Sequence, residues 1–210
     1  MNEEQAVLNF FAQKENLPLA LSVANQVDLT RQKLNNDFWL ALSEYLVAHV
    51  PGWRITTTEN RNVAECLVGL HLRPEIDQTL YLCPLLEQQY IGDTQRICYG
   101  LMWSATPTLE QKQLSIINTL INTFQEAGFK SNECFLAWQW TPYYPRNMDF
   151  LLRFSSAEDA LLHEAASLIQ NLLVTHRDAL HVANTTLRES SQNAKISVIS
   201  VDKLRVNLKR

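Results

Sequence analysis

The clearest strand signal in the chain is the run Arg96–Trp103, which reads RICYGLMW. Successive side chains of an extended backbone point to opposite sides. Here both sets are largely apolar: Cys98, Gly100 and Met102 on one side, and Ile97, Tyr99, Leu101 and Trp103 on the other. The pattern predicts a strand, and the rest of the fold can be worked out on either side of it.

Three shorter apolar runs precede this strand, with polar turns between them. Trp53–Thr57 and residues 63–72 both have strand-like composition, and Pro74 ends the second run. Leu80–Cys83 is a third short strand. Short strands in sequence order, separated by turns, are typical of an antiparallel meander.

Helical and strand patterns alternate after Trp103. Thr106 and Pro107 are suited to open a helix, and Gly128 to end it. Cys134–Trp140 then alternates as a strand buried on both faces, and Asp149–Phe154 is predicted as another strand.

The remaining chain continues with a helix and a strand. Ser155 and Glu158 have the spacing of a capping box, which predicts a helix running to about Leu180 or beyond. Lys195–Val201 alternates as a final strand. Residues 96–201 therefore have a possible β-α-β-β-α-β order, which is that of ferredoxin-like folds. The predicted fold class is α+β, an antiparallel sheet with helices packed on it.

A helical arm is predicted before the sheet. The strongest helix runs from Leu29 to His49, and Pro51-Gly52 ends it. Its apolar stripe has helical spacing: Leu34, Phe38, Leu42, Tyr45 and Leu46. We therefore expect residues 1–50 to form a helical N-terminal arm packed on the body, and residues 51–210 to form the α+β domain.

Composition is that of a globular intracellular protein. Of 210 residues, 46% are apolar, and only five are glycine, so a glycine-rich phosphate loop is not expected. None of the four cysteines belongs to a Cys-x-x-Cys pair, which favours reduced, buried thiols over zinc ligands or disulfides. The acidic start does not resemble a secretory signal, and no apolar run is long enough to span a membrane. We expect a cytoplasmic location and no membrane partner.

Charge is unevenly distributed along the chain. Residues 188–210 carry six basic and two acidic side chains, or +4; with a total of −4, residues 1–187 therefore carry −8. An acidic body disfavours general binding to nucleic acid. The basic end is a possible site of nucleic-acid contact through Lys203, Arg205, Lys209 and Arg210, although we favour a solvated edge strand with charged residues.

Motifs of catalysis and metal binding are missing. No two histidines have the His-x-x-x-His spacing, and no Gly-x-Ser-x-Gly elbow occurs. Cys98 and Cys134 lie in apolar runs, where burial makes a thiol inert. Glu65 stands inside the apolar run 63–68, where it is either a functional acid or, as we favour, on the solvent face of a strand. We assign no catalytic residue, no metal site and no cofactor.

The most distinctive stretch is Trp138–Asn147, which reads WQWTPYYPRN. Aromatic residues and arginine dominate binding hot spots, and aromatic rings also form stacking platforms for single-stranded nucleic acid. For Trp138 and Trp140 we favour a place in a core strand, with a binding surface as the alternative. Tyr143, Tyr144 and Arg146 occupy a polar turn between and after prolines, and are the preferred contact residues. All five are taken as candidate partner-binding residues.

Part of the chain resembles a known superfamily. The run from Phe135 to Trp140, then Phe150 to Arg153, then an acidic-capped helix resembles the C-terminal part of PD-(D/E)XK nuclease-superfamily proteins of bacterial mobile and phage-defence loci. Such nucleases hold magnesium with an acidic residue and a Glu-x-Lys or Asp-x-Lys on adjoining strands. The triplet found here, Glu110-Gln111-Lys112, lies in a predicted helix. The resemblance therefore implies a bacterial accessory or degenerate relative rather than a nuclease.

Three functional hypotheses remain. The first is a non-enzymatic protein-binding protein, such as an accessory subunit, an adaptor or an immunity-type inhibitor, and self-association is compatible with it. The second is a nucleic-acid-associated accessory protein, which salt-sensitive binding of single-stranded DNA would reveal. The third is an enzyme of unrecognised type, which a cleft with perturbed acids or histidines would favour.

Overall fold

A computed structural model describes residues 2–63, 65–75, 78–92 and 94–191. The helices are α1 (Glu3–Phe11), α2 (Leu17–His49), α3 (Leu109–Lys112), α4 (Ser115–Glu126), α5 (Met148–Ser156), α6 (Glu158–Thr175) and α7 (Arg177–Ser190). The strands are β1 (Trp53–Glu59), β2 (Leu67–Pro74), β3 (Leu82–Ile91), β4 (Thr94–Trp103) and β5 (Phe135–Trp140). The predicted α+β class with an N-terminal helical arm is confirmed.

The five strands form one antiparallel sheet in the order β1-β2-β3-β4-β5. The predicted meander is therefore present in β1–β4, and β5 adds to the sheet beside β4 after helices α3 and α4. Gly100 lies at its tightest point, since a Cβ there would stand 2.1 Å from the Ala137 carbonyl oxygen. Its φ of +156° also favours glycine, so β4 and β5 approach closely only because this residue has no side chain.

One face of the sheet carries the main hydrophobic core. Leu70, Leu86 and Leu101 from the strands pack with Phe38 and Leu42 of α2 and with side chains from α4, α5, α6 and α7. The other face has a smaller apolar cluster centred on Cys83, Leu85, Cys98 and Trp138. The sheet thus separates two apolar layers, which explains why both sides of Arg96–Trp103 are apolar.

Helix α2 has two different halves. From Asn35 to Leu46 it buries one face against β1, β2, α5 and α6. From Leu17 to Lys33 no residue is fully buried. The whole helix of 33 residues is about 50 Å long at 1.5 Å per residue, so about half of it extends past the core.

A buried polar network fastens α2 to the sheet. The Trp39 indole nitrogen donates to Gln88 Oε1 at 3.0 Å. Gln88 Nε2 and Asn35 Nδ2 both donate to the Leu67 carbonyl oxygen, at 3.3 and 3.1 Å. Asn35, Trp39 and Gln88 are all buried, so these bonds are shielded from water.

Several sequence predictions on the C-terminal half are wrong. Asp149–Phe154 lies in helix α5 and not in a strand, because Phe150, Leu151 and Phe154 have helical spacing and pack inward, with the Phe150 ring 4.9 Å from that of Phe38. The β-α-β-β-α-β order is therefore not formed by the described residues, in which three helices follow β5. The final strand predicted at Lys195–Val201 lies outside the described residues.

Helix boundaries also differ from the prediction. Thr108, not Thr106, caps α3, and it forms a capping box with Gln111. The predicted Ser155/Glu158 box is not formed, since α6 begins after Ala157 without a side-chain cap. The long predicted helix is divided at His176 into α6 and α7.

The segment before β2 is a turn, contrary to the prediction. Glu65 is exposed with a φ of +59°, and β2 begins only at Leu67. Asn36 of α2 holds this turn: its Oδ1 accepts from Leu67 N at 2.8 Å and its Nδ2 donates to the Glu65 carbonyl oxygen.

None of the helices in the described part of the chain combines the length and the apolar composition that crossing a bilayer requires.

Candidate functional site

The aromatic segment Trp138–Asn147 leads from β5 to α5 and is anchored on β4. Thr141 N donates to the Ile97 carbonyl oxygen at 2.9 Å, and Ile97 N donates to the Tyr143 carbonyl oxygen at 3.0 Å. The Thr141 hydroxyl also bonds Ile97 O, at 2.8 Å. These bonds extend the sheet pairing past the end of β5, so the turn has a defined shape.

Arg96 joins two rings of this segment. Its guanidinium carbon lies 5.9 Å from the centre of the Trp140 ring and 5.3 Å from that of Tyr144. Its Nε donates to the Thr141 carbonyl oxygen. The three side chains are half-buried. A cation within about 6 Å of a ring face is attracted to it, so Arg96 holds both rings in place.

Tyr143 belongs to a different group. Its hydroxyl donates to Glu164 Oε2 at 3.2 Å, while Arg153 donates to the other carboxylate oxygen. Burial and the nearby Glu164 carboxylate raise the pKa of Tyr143. The hydrogen bond from Arg153 lowers the pKa of Glu164. Tyr143 therefore connects the turn to α5 and α6, whereas the ring of Tyr144 contacts Arg96.

Trp138 packs in the second apolar layer. Its ring meets Phe135 and lies 5.4 Å from Trp140 in an edge-on arrangement. Trp138 is buried, whereas Trp140 is half-buried. Of the five predicted contact residues, Trp138 thus has the smallest accessible surface, and Trp140 and Tyr144 share a surface with Arg96.

Arg146 lines a separate cleft of about 350 Å³. Asp28 and Arg31 of α2 line one side of the cleft, and Tyr90 and Thr94 of the β3–β4 hairpin line the other. The structure therefore brings Arg146 to the arm, in a cleft that Arg96, Trp140 and Tyr144 do not line. The basic residues predicted for nucleic acid, Lys203, Arg205, Lys209 and Arg210, lie outside the described residues.

An apolar groove of about 400 Å³ lies on the other side of α2. Val23, Val27 and Leu34 form its α2 wall, and Met148 and Leu152 are part of its α5 wall. Arg31 lines both this groove and the cleft of Arg146. Groove and cleft therefore flank the part of α2 that extends past the core.

The arm itself exposes much apolar surface. Helix α1 buries no residue. Nine large apolar side chains of α1 and the first half of α2 are 42–65% exposed: Val7, Leu8, Phe10, Phe11, Leu17, Leu19, Leu21, Val23 and Leu29. We call α1, residues 17–33 of α2, the groove and the cleft together the arm end. A concentration of exposed large apolar side chains in one part of a chain is typical of an interaction site.

The arm end cannot be recognised as a binding surface from the sequence. The apolar face of α1 can be recognised from Ala6, Val7, Phe10 and Phe11, but the same pattern also fits a helix packed on its own domain. The groove joins residues about 120 positions apart in sequence, so no local pattern could indicate it.

The cysteines Cys66, Cys83, Cys98 and Cys134 are free thiols, and all four are buried. Burial raises the pKa of the Cys83 thiol to about 12 and that of Cys98 well above its usual value, with the Glu87 carboxylate contributing to both. Across the residues that the structure describes, no three His, Cys, Asp or Glu side chains converge in a way that could hold a metal ion.

Comparison with known proteins finds no match for this chain among protein-family models, curated proteins or solved structures.

Proposed function

We propose that this chain is a protein-binding accessory protein, and that the arm end receives its partner. The observation that supports this most is the exposed apolar surface of α1 and the first half of α2. A helix of nine residues is too short to be stable alone in water. Because α1 buries none of its side chains within this chain, docking on another protein would give it the packing it lacks.

The exposed surface is large enough to support association. Added together, the exposed fractions of these nine side chains equal about five fully exposed large apolar side chains. At about 1.5–3 kcal/mol for each buried side chain, their burial is worth about 7–15 kcal/mol. This gain is of the same size as the cost of association, about 4–15 kcal/mol in lost freedom, so a specific complex also requires contacts in the groove and the cleft.

Charge favours a protein over nucleic acid at this surface. Residues 2–33 carry four acidic and three basic side chains, giving −1. Phosphate contacts require a surplus of lysine and arginine. Arg31 and Arg146 at the cleft supply instead a polar rim beside an apolar centre, which is the usual arrangement of a protein interface.

Affinity capture from an extract of the native cell, with and without nuclease treatment, tests the proposal. Phe10→Glu alters the arm and Leu152→Glu the groove; both residues are exposed, so the variants should fold. Val174→Glu is the matched control, because Val174 is 78% exposed near the opposite end of α2. We expect one dominant nuclease-resistant protein, retained by the control and lost with both arm-end variants.

Two outcomes would contradict the proposal. Recovery that disappears with nuclease would favour the nucleic-acid hypothesis, and Tyr144→Ala would then test the Arg96 stack. Equal recovery by Phe10→Glu, Leu152→Glu and wild type would exclude the arm end as the contact surface. Sedimentation of the purified chain completes the experiment, since a concentration-dependent dimer lost in both variants would identify a second copy as the partner.

A further inference from the structure

A second feature lies at the opposite end of α2, where α7 faces the beginning of β1 and the end of β2. Arg177, His181, Asn184 and Arg188 follow one another at steps of four, three and four residues. This spacing places them on one face of the helix. Leu180, Ala183 and Leu187 anchor the helix in the core, so the polar face has a fixed position.

The polar face of α7 lines a cavity of about 700 Å³. That volume lies within the range of small-molecule sites, about 300–1,000 Å³. Trp53, the first residue of β1, provides a planar, half-buried wall. Leu173 of α6 adds apolar surface. The cavity thus has a flat apolar side opposite a side of hydrogen-bond donors.

Asn184 is the most informative residue of the cavity. It is only 9% exposed, and its Oδ1 accepts a hydrogen bond from Leu82 N at 2.7 Å. That bond fixes which end of the amide faces the β3 backbone. The Nδ2 group forms no hydrogen bond to any described residue, and as the accessible part of a largely buried side chain it can donate to a ligand in the cavity.

Positive charge stands close to this donor. Arg188 is four residues along α7 from Asn184, about 6 Å of helix rise. Neither Arg188 nor Arg177 forms an ion pair with any residue in the described ranges. Glu75 and Asp178 also border the cavity. Side chains with hydrogen-bond donors outnumber these two carboxylates, since His181 and Thr185 line the cavity together with the two arginines and Asn184.

We propose that this cavity binds a small organic oxyanion that carries a planar body. The oxyanion lies between Asn184 Nδ2 and the Arg188 guanidinium, and the planar part lies against Trp53. A guanidinium with an amide donor suits phosphate and carboxylate alike, because both present several acceptor oxygens to a fork of N–H groups. The cavity is separate from the arm end, so ligand binding here does not depend on whether the chain binds a protein at the arm end.

NMR of the purified chain with ¹⁵N-labelled tryptophan provides the test. Five indole signals are expected, and Trp53→Phe assigns that of Trp53. The probes are adenosine monophosphate, benzoate, inorganic phosphate and adenosine. We expect the Trp53 signal to shift saturably with at least one of the first two, and at least tenfold more weakly with phosphate alone or adenosine alone. Comparing adenosine monophosphate with benzoate distinguishes a phosphate from a carboxylate ligand.

Asn184→Asp is the decisive variant. The aspartate retains an oxygen for Leu82 N, so the fold should persist, while the donor in the cavity becomes a second anionic oxygen. We expect at least a tenfold loss of affinity, a similar loss in Arg188→Gln, and no change in the control Arg61→Gln, at an exposed arginine that follows the other end of β1. The proposal is overturned if neither adenosine monophosphate nor benzoate at 10 mM shifts the Trp53 signal, or if Asn184→Asp binds as tightly as wild type.

Discussion

The docking of α2 on the sheet can be measured through one hydrogen bond. Gln88→Met keeps the length of the side chain but removes the acceptor for the Trp39 indole N–H, which is 3.0 Å away and fully buried. The Leu67 carbonyl oxygen retains its bond from Asn35 at 3.1 Å. The change therefore leaves a single unsatisfied buried donor, which costs about 1–3 kcal/mol.

The expected loss of about 2 kcal/mol is large enough to measure. For a chain of this size, it corresponds to a fall in the thermal midpoint of about 4–8 °C. With an m-value of about 2–3 kcal/mol/M, the urea midpoint falls by about 0.7–1 M. Gln113→Met is the control, because Gln113 is exposed and surface changes stay within about 0.5 kcal/mol.

A double-mutant cycle attributes the loss to the bond itself. Trp39→Phe removes the donor as well as part of the ring, and Gln88→Met combined with it leaves neither partner unsatisfied. We expect a coupling free energy of about 1–2 kcal/mol from urea unfolding of the four proteins. Effects that add to within about 0.5 kcal/mol would refute the view that this bond fastens α2 to the sheet.

Three further predictions concern the sheet, a thiol and an ion pair. Gly100→Ala should lower the free energy of unfolding by more than about 3 kcal/mol, and the control Gly128→Ala by about 1 kcal/mol. The difference arises because the new Cβ would meet backbone atoms within 4 Å at Gly100 and nothing at Gly128. Equal falls of the thermal midpoint in the two variants would contradict this prediction. Cys83, with a pKa of about 12, should resist iodoacetamide at pH 8 until the chain unfolds; peptide mapping that finds native labelling at the unfolded rate would disprove it. The hydrogen bond from Arg153 lowers the pKa of Glu164 in the folded chain, so the ionised carboxylate stabilises the fold above the usual carboxyl pKa, and this stabilisation is lost as the pH falls through the folded pKa. Glu164→Gln should therefore reduce the urea midpoint slightly at pH 7 and not at pH 3. An equal reduction at both pH values would exclude the charge effect.

Local sequence patterns predicted the secondary structure correctly where a single periodicity of apolar side chains, that of a strand or that of a helix, dominates. Alternation predicted β4 and the body of β5, and helical spacing predicted the buried stripe Phe38, Leu42 and Leu46. Gly128, with a φ of +85°, follows α4 as expected. Such elements are predictable because the side-chain period alone decides which residues face the core.

Short segments with mixed patterns were not predictable in the same way. Asp149–Phe154 fits a strand by composition, but the ring of Phe38 offers a surface that Phe150 and Phe154 can share only from a helix. The polar half of β3 likewise carries Gln88, whose burial depends on partners in α2 and β2. Tertiary contacts decided these elements, since the local preferences are nearly balanced.

The candidate sites show the same division. Sequence alone identified the aromatic segment and its arginine, because aromatic residues in a proline-bounded turn are unusual whatever the fold. It could not show that Arg96 stacks on Trp140 and Tyr144, that Arg146 lies beside α2, or that Asn184 presents a donor to a cavity.

The sequence by itself determined an α+β chain with an antiparallel meander and a helical arm, because side-chain periodicity and turn residues act over a few positions. Only the tertiary structure decided which half of α2 is covered, where the groove and the cavity form, and which polar groups are left for a ligand. These properties depend on which surfaces meet across the whole chain, and no short-range pattern records that.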